Sequence, residues 1–182
     1  MRWSIEIQSA PSSNAVSAVE AKTHLRVSHS SDDTYIGNLI KAAEAMVETY
    51  TNRRLVAGTY DLKLDEWGKG IKLPYSPVSS ITHIKYYDTD NSQQTWADTN
   101  YFYSVKEEPT YIEYINDPPS LYDYRVDLIE VRFVVGYSTV PEALRQAILL
   151  LVGDMYENRL DYPRERFTAW KMLCYPYRVF YD

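Results

Sequence analysis

Cysteine is almost absent from this sequence. Cys174 is the only one in 182 residues, so no internal disulfide can form, which fits a reducing compartment. Histidine is nearly as scarce: His24, His29 and His83 stand far apart, with no HxxxH or CxxC spacing. Nothing gathers metal ligands, and no metal or other cofactor is expected. Long apolar runs are missing too. The longest, Ala147–Val152, is far too short to cross a bilayer, and the opening MRWSIEIQSAPSSN holds no apolar core of signal-peptide length. The expectation is a soluble protein made in the cytoplasm, with no membrane attachment. Glycine offers one close pair, Gly68-Lys-Gly70, which lacks the length and following helix of a phosphate-binding loop and reads as a β-turn.

Catalytic constellations are equally thin. Cys174, between Leu173 and Tyr175, lies in no thiol-nucleophile motif. Glu44 and Glu48 fall one helical turn apart and could be drawn as an acid and base, but their neighbours make them a solvated polar face. No catalytic residue is assigned, and the protein is not expected to be an enzyme. A helix-turn-helix reader of DNA is disfavoured because the second helix opens with Asp32 and Asp33, at the end that approaches bases.

What is present is acidity, tyrosine and a change of period. The net charge is −6 and the pI is near 5.1, against a nucleic-acid coat, which needs clustered cations. Residues 1–57 carry six basic and six acidic side chains, whereas 58–137 carry seven against thirteen. The acidity therefore lies in the middle of the chain. The eighteen tyrosines suit β-sheet faces and, beyond those, interfaces.

Along the chain, Trp3–Gln8 reads as a short strand, and Ser17-Ala-Val-Glu20 has the spacing of a capping box opening a helix to about Arg26. Ser30 or Ser31, with Asp32 and Asp33, opens a second helix whose apolar face is Ile36, Leu39, Ile40, Ala43, Val47 and Tyr50. Arg53 and Arg54 stand where its negative end favours cations. From Gly58 the period becomes two. Tyr60, Leu62 and Leu64 alternate with polar residues, as do Ile129, Val131, Phe133 and Val135 before Gly136. Between them lie strands at Ser80–Tyr87, Gln93–Ala97, Tyr101–Val105 and Tyr111–Ile115, a hairpin turn at Asp88–Ser92 and a Pro-rich loop at Asn116–Ser120.

Val140–Leu160 is the stretch around which the rest is organised. Pro141 and Glu142 mark a helix start, and Leu144, Ile148, Leu151 and Met155 form its core stripe. Leu149, Leu150 and Val152 make its middle turn apolar almost all round, which fits either a central position in the domain or a partner subunit packed against it. The fold class is α+β: a helical base, 1–57 and 138–160, made of an N-terminal helix pair and the long C-terminal helix, an inserted antiparallel β module, 58–137, and an extended interaction tail, 161–182. That tail, DYPRERFTAWKMLCYPYRVFYD, is aromatic, turns basic and is broken by Pro163 and Pro176.

Several phrases, in order, resemble the head-tail connector proteins of long-tailed bacteriophages, also called head-completion or adaptor proteins, and their relatives in gene transfer agents. They are VSAVEAKTHLRV with DDTYIGNLIKAAEAMVETYTNRRL, then LPYSPVSSITHIKYYDTD, then VRFVVGYSTVPEALRQAILLLVGDMYENR, and the closing LCYPYRVF. The stretch ERFTAWKM departs from the family pattern. The resemblance implies a structural virion neck protein: copies in a closed ring, a dodecamer matching the portal, joined to the portal protein above and to a downstream neck or tail protein below. DNA would pass through the channel without specific binding. The tail's aromatics, its turn to basic charge and the likeness of its closing phrase to the family's make Trp170, Tyr175, Pro176, Tyr177 and Arg178 the expected portal-docking residues, in a tail expected to order only on assembly. Two other classes, a β-module ligand-binding protein and an enzyme of unknown type, fit the residues less well.

Overall fold

A computed structural model describes residues 2–158 and 168–180. Helices and antiparallel sheets occupy separate parts of the chain, so the fold is α+β. The described residues form two compact units, one within Ser12–Val56 and Tyr137–Val179, the other within Met1–Pro11, Ala57–Gly136 and Phe180–Asp182.

The first unit holds α1 (Ala18–Leu25), α2 (Asp33–Thr51), α3 (Glu142–Glu157) and α4 (Ala169–Cys174). The capping box is present as read: the Glu20 N–H donates to Ser17 Oγ at 3.2 Å while the Ser17 N–H donates to Glu20 Oε2 at 2.9 Å. Such a cap is worth about 1 kcal/mol, because it satisfies donors that the first turn leaves without partners. Helix α2 buries Ile36, Ile40, Ala43 and Val47, the stripe expected from its period. Its start differs from expectation. Asp32 occupies the cap position but makes no side-chain capping bond; its carboxylate instead accepts from Tyr156 Oη at 2.5 Å.

Helix α3 is central, packing against each of the other three helices. Leu144, Ile148 and Leu151 are buried and Met155 is half-buried against the same core. Leu149 and Val152 are buried as well, leaving Leu150, 37% exposed, as the apolar residue of the middle turn that meets solvent. The apolar surplus of this helix is thus largely absorbed inside its own unit.

The second unit contains β1 (Trp3–Ser9), β2 (Gly58–Leu64), β3 (Ile71–Lys72), β4 (Val78–Tyr87), β5 (Gln93–Trp96), β6 (Tyr101–Tyr103), β7 (Tyr111–Tyr114) and β8 (Ile129–Val135). A five-stranded sheet runs in the order β1-β2-β8-β4-β5 and a three-stranded one in the order β3-β7-β6, every pairing antiparallel. Tyr60, Leu62, Leu64, Ile129, Val131, Phe133 and Val135 all point into one core with Ile84, Trp96 and Ile112. Burying a side chain such as Phe133 is worth about 1.5–3 kcal/mol. The expected 1–57 boundary is moved by β1, which pairs with β2 through Trp3↔Leu64, Ile5↔Leu62 and Ile7↔Tyr60 and so belongs with the sheets. Two residues long, β3 is too short to alternate visibly. Beside it, a Cβ at Gly70 would meet the Tyr111 ring at 2.3 Å, so a side chain there would displace that ring.

Candidate functional site

The residues singled out in the tail come first. Residues 159–167, with Tyr162, Pro163 and Phe167, and residues 181–182 lie outside the described residues. The described part, expected as a separate tail, packs on α2 and α3. Trp170 meets the Tyr50 ring edge-on, centroids 5.2 Å apart. Arg178 donates from Nε to the Tyr50 carbonyl at 3.1 Å and lies 4.7 Å from the centre of the Tyr50 ring. The Tyr177 carbonyl accepts from Arg53 Nε. Backbone joins in too: the Val179 N–H donates to the Thr51 carbonyl at 2.9 Å and Asn52 Nδ2 donates to the Val179 carbonyl at 2.8 Å. The physical reason is the end of α2, whose last carbonyls have no partner within the helix. The tail's donors satisfy part of that need, so segment 169–179 has packing to offset its ordering entropy without another subunit. Of the five residues, Tyr175, 58% exposed, presents its ring outward; Trp170 and Arg178 are engaged inside the unit.

Backbone lying beside α2 accounts for the acidic pair. Glu48 accepts from the Leu55 N–H at 2.8 Å and from Arg54 Nη1 at 2.7 Å, so Arg54 serves this carboxylate. Glu44 accepts from the Ala15 N–H. Burial pushes the Glu44 carboxyl up to about 7, against the hydrogen bond from Ala15 and with help from the Glu48 charge. These two carboxylates are backbone clamps, not the solvated face expected of them.

Cys174 is fully buried and desolvation pushes its thiol up to about 11, so it is a packing residue. Among the described residues no group of three His, Cys, Asp or Glu side chains could hold a metal. His29 Nδ1 contacts Ser31 Oγ at 2.7 Å and His83 Nε2 contacts Glu130 Oε1 at 3.0 Å.

On the β unit, the polar face of the large sheet carries ions in cross-strand register. Asp61, 1% exposed, accepts two bonds from Arg132 Nε and Nη2, each 2.7 Å. Lys63 Nζ reaches Glu130 Oε2 at 2.5 Å and Glu6 at 3.8 Å. Burial alone would raise the pKa of Glu130, but hydrogen bonds from Lys63 and His83 and the nearby cations hold it below the usual carboxylate range. Under the other face lies an aromatic group: Trp67 and Trp96 4.9 Å apart, with Tyr101, Tyr114 and Tyr86 around them. Several of the eighteen tyrosines are thereby sheet packing. Exposed apolar side chains concentrate elsewhere, at Trp3, Ile7, Phe102, Ile115, Tyr124 and Val126. Among the described residues these arrangements bring together no nucleophile, base and acceptor site for chemistry.

Solved structures share this fold. The "Neck of empty GTA particle computed with C6 symmetry" aligns with a TM-score of 0.83 at 23% identity, covering 98% of this chain and 97% of that one. The "Neck of native GTA particle computed with C12 symmetry" gives 0.80 at 22%, covering 98% and 97%. The "Virion of native gene transfer agent (GTA) particle" gives 0.79 at 22%, covering 98% and 96%. No curated protein matches the chain. The sequence itself matches the family described as "Head completion protein" over residues 15–169, a span that takes in α1, all of β2 to β8 and α3. The chain therefore belongs to the head completion protein family.

Proposed function

We propose that this protein is a structural component of a virion neck, whose copies close into a ring, with twelve members, joining the portal of the DNA-filled head to the next neck or tail protein and extending the DNA channel. The observation that carries the proposal is the family match over 15–169. The fold shared with neck proteins of gene transfer agent particles supports it, since that likeness spans nearly the whole of both chains. The role is structural, and the residues engaged in clamps and cross-strand pairs are consistent with that. With thirteen acidic and seven basic side chains in 58–137, the β unit repels a polyanion, and DNA passing such a surface is not held.

Portal docking is assigned to the tail in a changed form. The outward groups of α4 and the turn after it, Met172 and Tyr175, make the contact, while Trp170, Tyr177 and Arg178 hold the segment on α2. Electron microscopy of the purified protein with and without its portal is the test. Rings that stack on the portal are expected; monomers under both conditions refute the proposal.

A further inference from the structure

One groove and one knob in this chain match each other in chemistry. The groove, about 530 Å³, follows the outer side of α1 and is lined, among the described residues, by Val19, Lys22, Thr23, Arg26, Val27 and Ser28. Val19 is 74% exposed, an apolar side chain facing water beside two cations. Lys22 is steadied by Asp33 at 2.6 Å. Arg26, in the left-handed conformation that ends α1, is exposed. An apolar wall beside a cation suits an aromatic residue next to a carboxylate.

The knob is the loop 121–127 of the β unit. It is pinned from several sides: the Arg125 guanidinium lies 3.5 Å from the centre of the Tyr87 ring, the Tyr122 N–H donates to the Tyr87 carbonyl at 3.2 Å, and the Asp127 N–H donates to Asp65 Oδ1 at 2.7 Å. With the loop's one cation folded onto Tyr87, it presents Tyr124 at 87% exposure, Val126 at 53% and the exposed Asp123. An aromatic side chain on a pinned loop has the makings of an interface anchor, because little backbone entropy is lost when it is buried.

We infer that loop 121–127 of one copy seats in the α1 groove of the next, with Tyr124 and Val126 against Val19 and Val27 and Asp123 beside Arg26. The inference rests on the ring proposed above and names the contact that builds it. Two different surfaces of one chain meet, so the contact is head-to-tail and closes into a ring or runs on as a filament, never stopping at a pair. Nucleic-acid phosphate is a poorer occupant, because Lys22 is already paired with Asp33 and Val19 and Val27 offer a phosphate nothing.

The test uses the full chain with Val19→Cys, Tyr124→Cys or both, oxidised after particles have been imaged by negative-stain electron microscopy. An equimolar mixture of the two single variants is expected to give one covalent pair, and the double variant a ladder reaching ring size. Rings without these links overturn the inference and leave the ring standing; no rings, with portal or without, overturns both. Pairs formed by either single variant alone show a two-fold contact and overturn it as well. Arg26→Glu should weaken assembly at least tenfold, and adding Asp123→Arg should restore it. Assembly unchanged by Arg26→Glu, or a loss of duplex DNA retention in place of assembly, refutes the contact.

Discussion

The surroundings of α2 in one unit and the polar face of the large sheet in the other use their polar side chains in opposite ways. Around α2 several go to backbone: Glu44 and Glu48 accept from N–H groups of Ala15 and Leu55, while Asn52, Arg53 and Arg178 donate to carbonyls of Val179, Tyr177 and Tyr50. On the polar face of the large sheet they go to one another, Asp61 to Arg132 and Lys63 and His83 to Glu130. Helices leave orphan N–H and C=O groups at their ends, which side chains can reach, whereas a sheet satisfies its backbone along the ladder and leaves side chains facing side chains. A helical unit is therefore joined at element termini and a sheet across its width.

That contrast can be broken experimentally. The largest effect is expected from Leu151→Asp, which buries a charge in α3 and should cost about 3 kcal/mol or more in the helical unit, read as a drop in its denaturation midpoint. An unchanged midpoint would remove α3 from the core. Next comes Asp61→Ala. It leaves Arg132 without its two-pronged partner on a partly covered face and should cost about 2–3 kcal/mol, with amide exchange accelerated in β2 and β8 and not in α2. Uniform acceleration across both units would show that the sheet's ion pairs do not act locally.

Smaller still is Arg178→Ala, which removes a charge-assisted hydrogen bond and a ring contact at the end of α2, at a cost of about 1–2 kcal/mol. Protection of the Val179 amide in the free protein should fall with it. Strong exchange at Val179 in the unaltered protein would instead return this segment to the status of a tail that orders on assembly.

The last effect concerns pH. Glu44 has its folded-state pKa raised by burial from 4.5 to about 7, so the folded protein holds this proton longer than the unfolded chain. Its contribution to stability is favourable at low pH and is lost as pH rises from about 4.5 through about 7. Glu44→Gln keeps the acceptor for the Ala15 N–H and cannot ionise. The melting temperature of that variant should therefore decline less between pH 5 and pH 8 than that of the parent. Equal declines would place the pH dependence elsewhere.

Local patterns were legible from the sequence where one element suffices to determine them. Ser17 and Glu20 announce their own cap, the alternation in β2 and β8 names the buried face, and the α2 and α3 stripes fall where a 3.6-residue period puts them. Long-range partners were not. Nothing local says that Trp3–Ser9 pairs with Gly58–Leu64, or that Arg178 serves Tyr50, 128 residues away. The tail shows that limit: its aromatic and basic composition suits an external partner and an internal helix end equally well. Glu44 and Glu48 were misjudged likewise, because helical spacing shows which side chains are neighbours and not which loop lies over them. At the level of function, the ordered phrases pointed to the family that the match over residues 15–169 shows.

The strand order β1-β2-β8-β4-β5 also sets a timetable. Strand β8 lies between β2 and β4 and is made after both, so on the ribosome neither can complete its ladder until β8 appears; Lys63 and Glu130 are 67 residues apart. The helical unit waits longer, since Thr51 meets Val179 only when α4 and its turn have emerged. At roughly 5–20 residues per second, the first strand stands idle for seconds and α2 for several seconds more. The β unit can therefore close its large sheet once β8 has emerged, before α4 and its turn complete the helical unit.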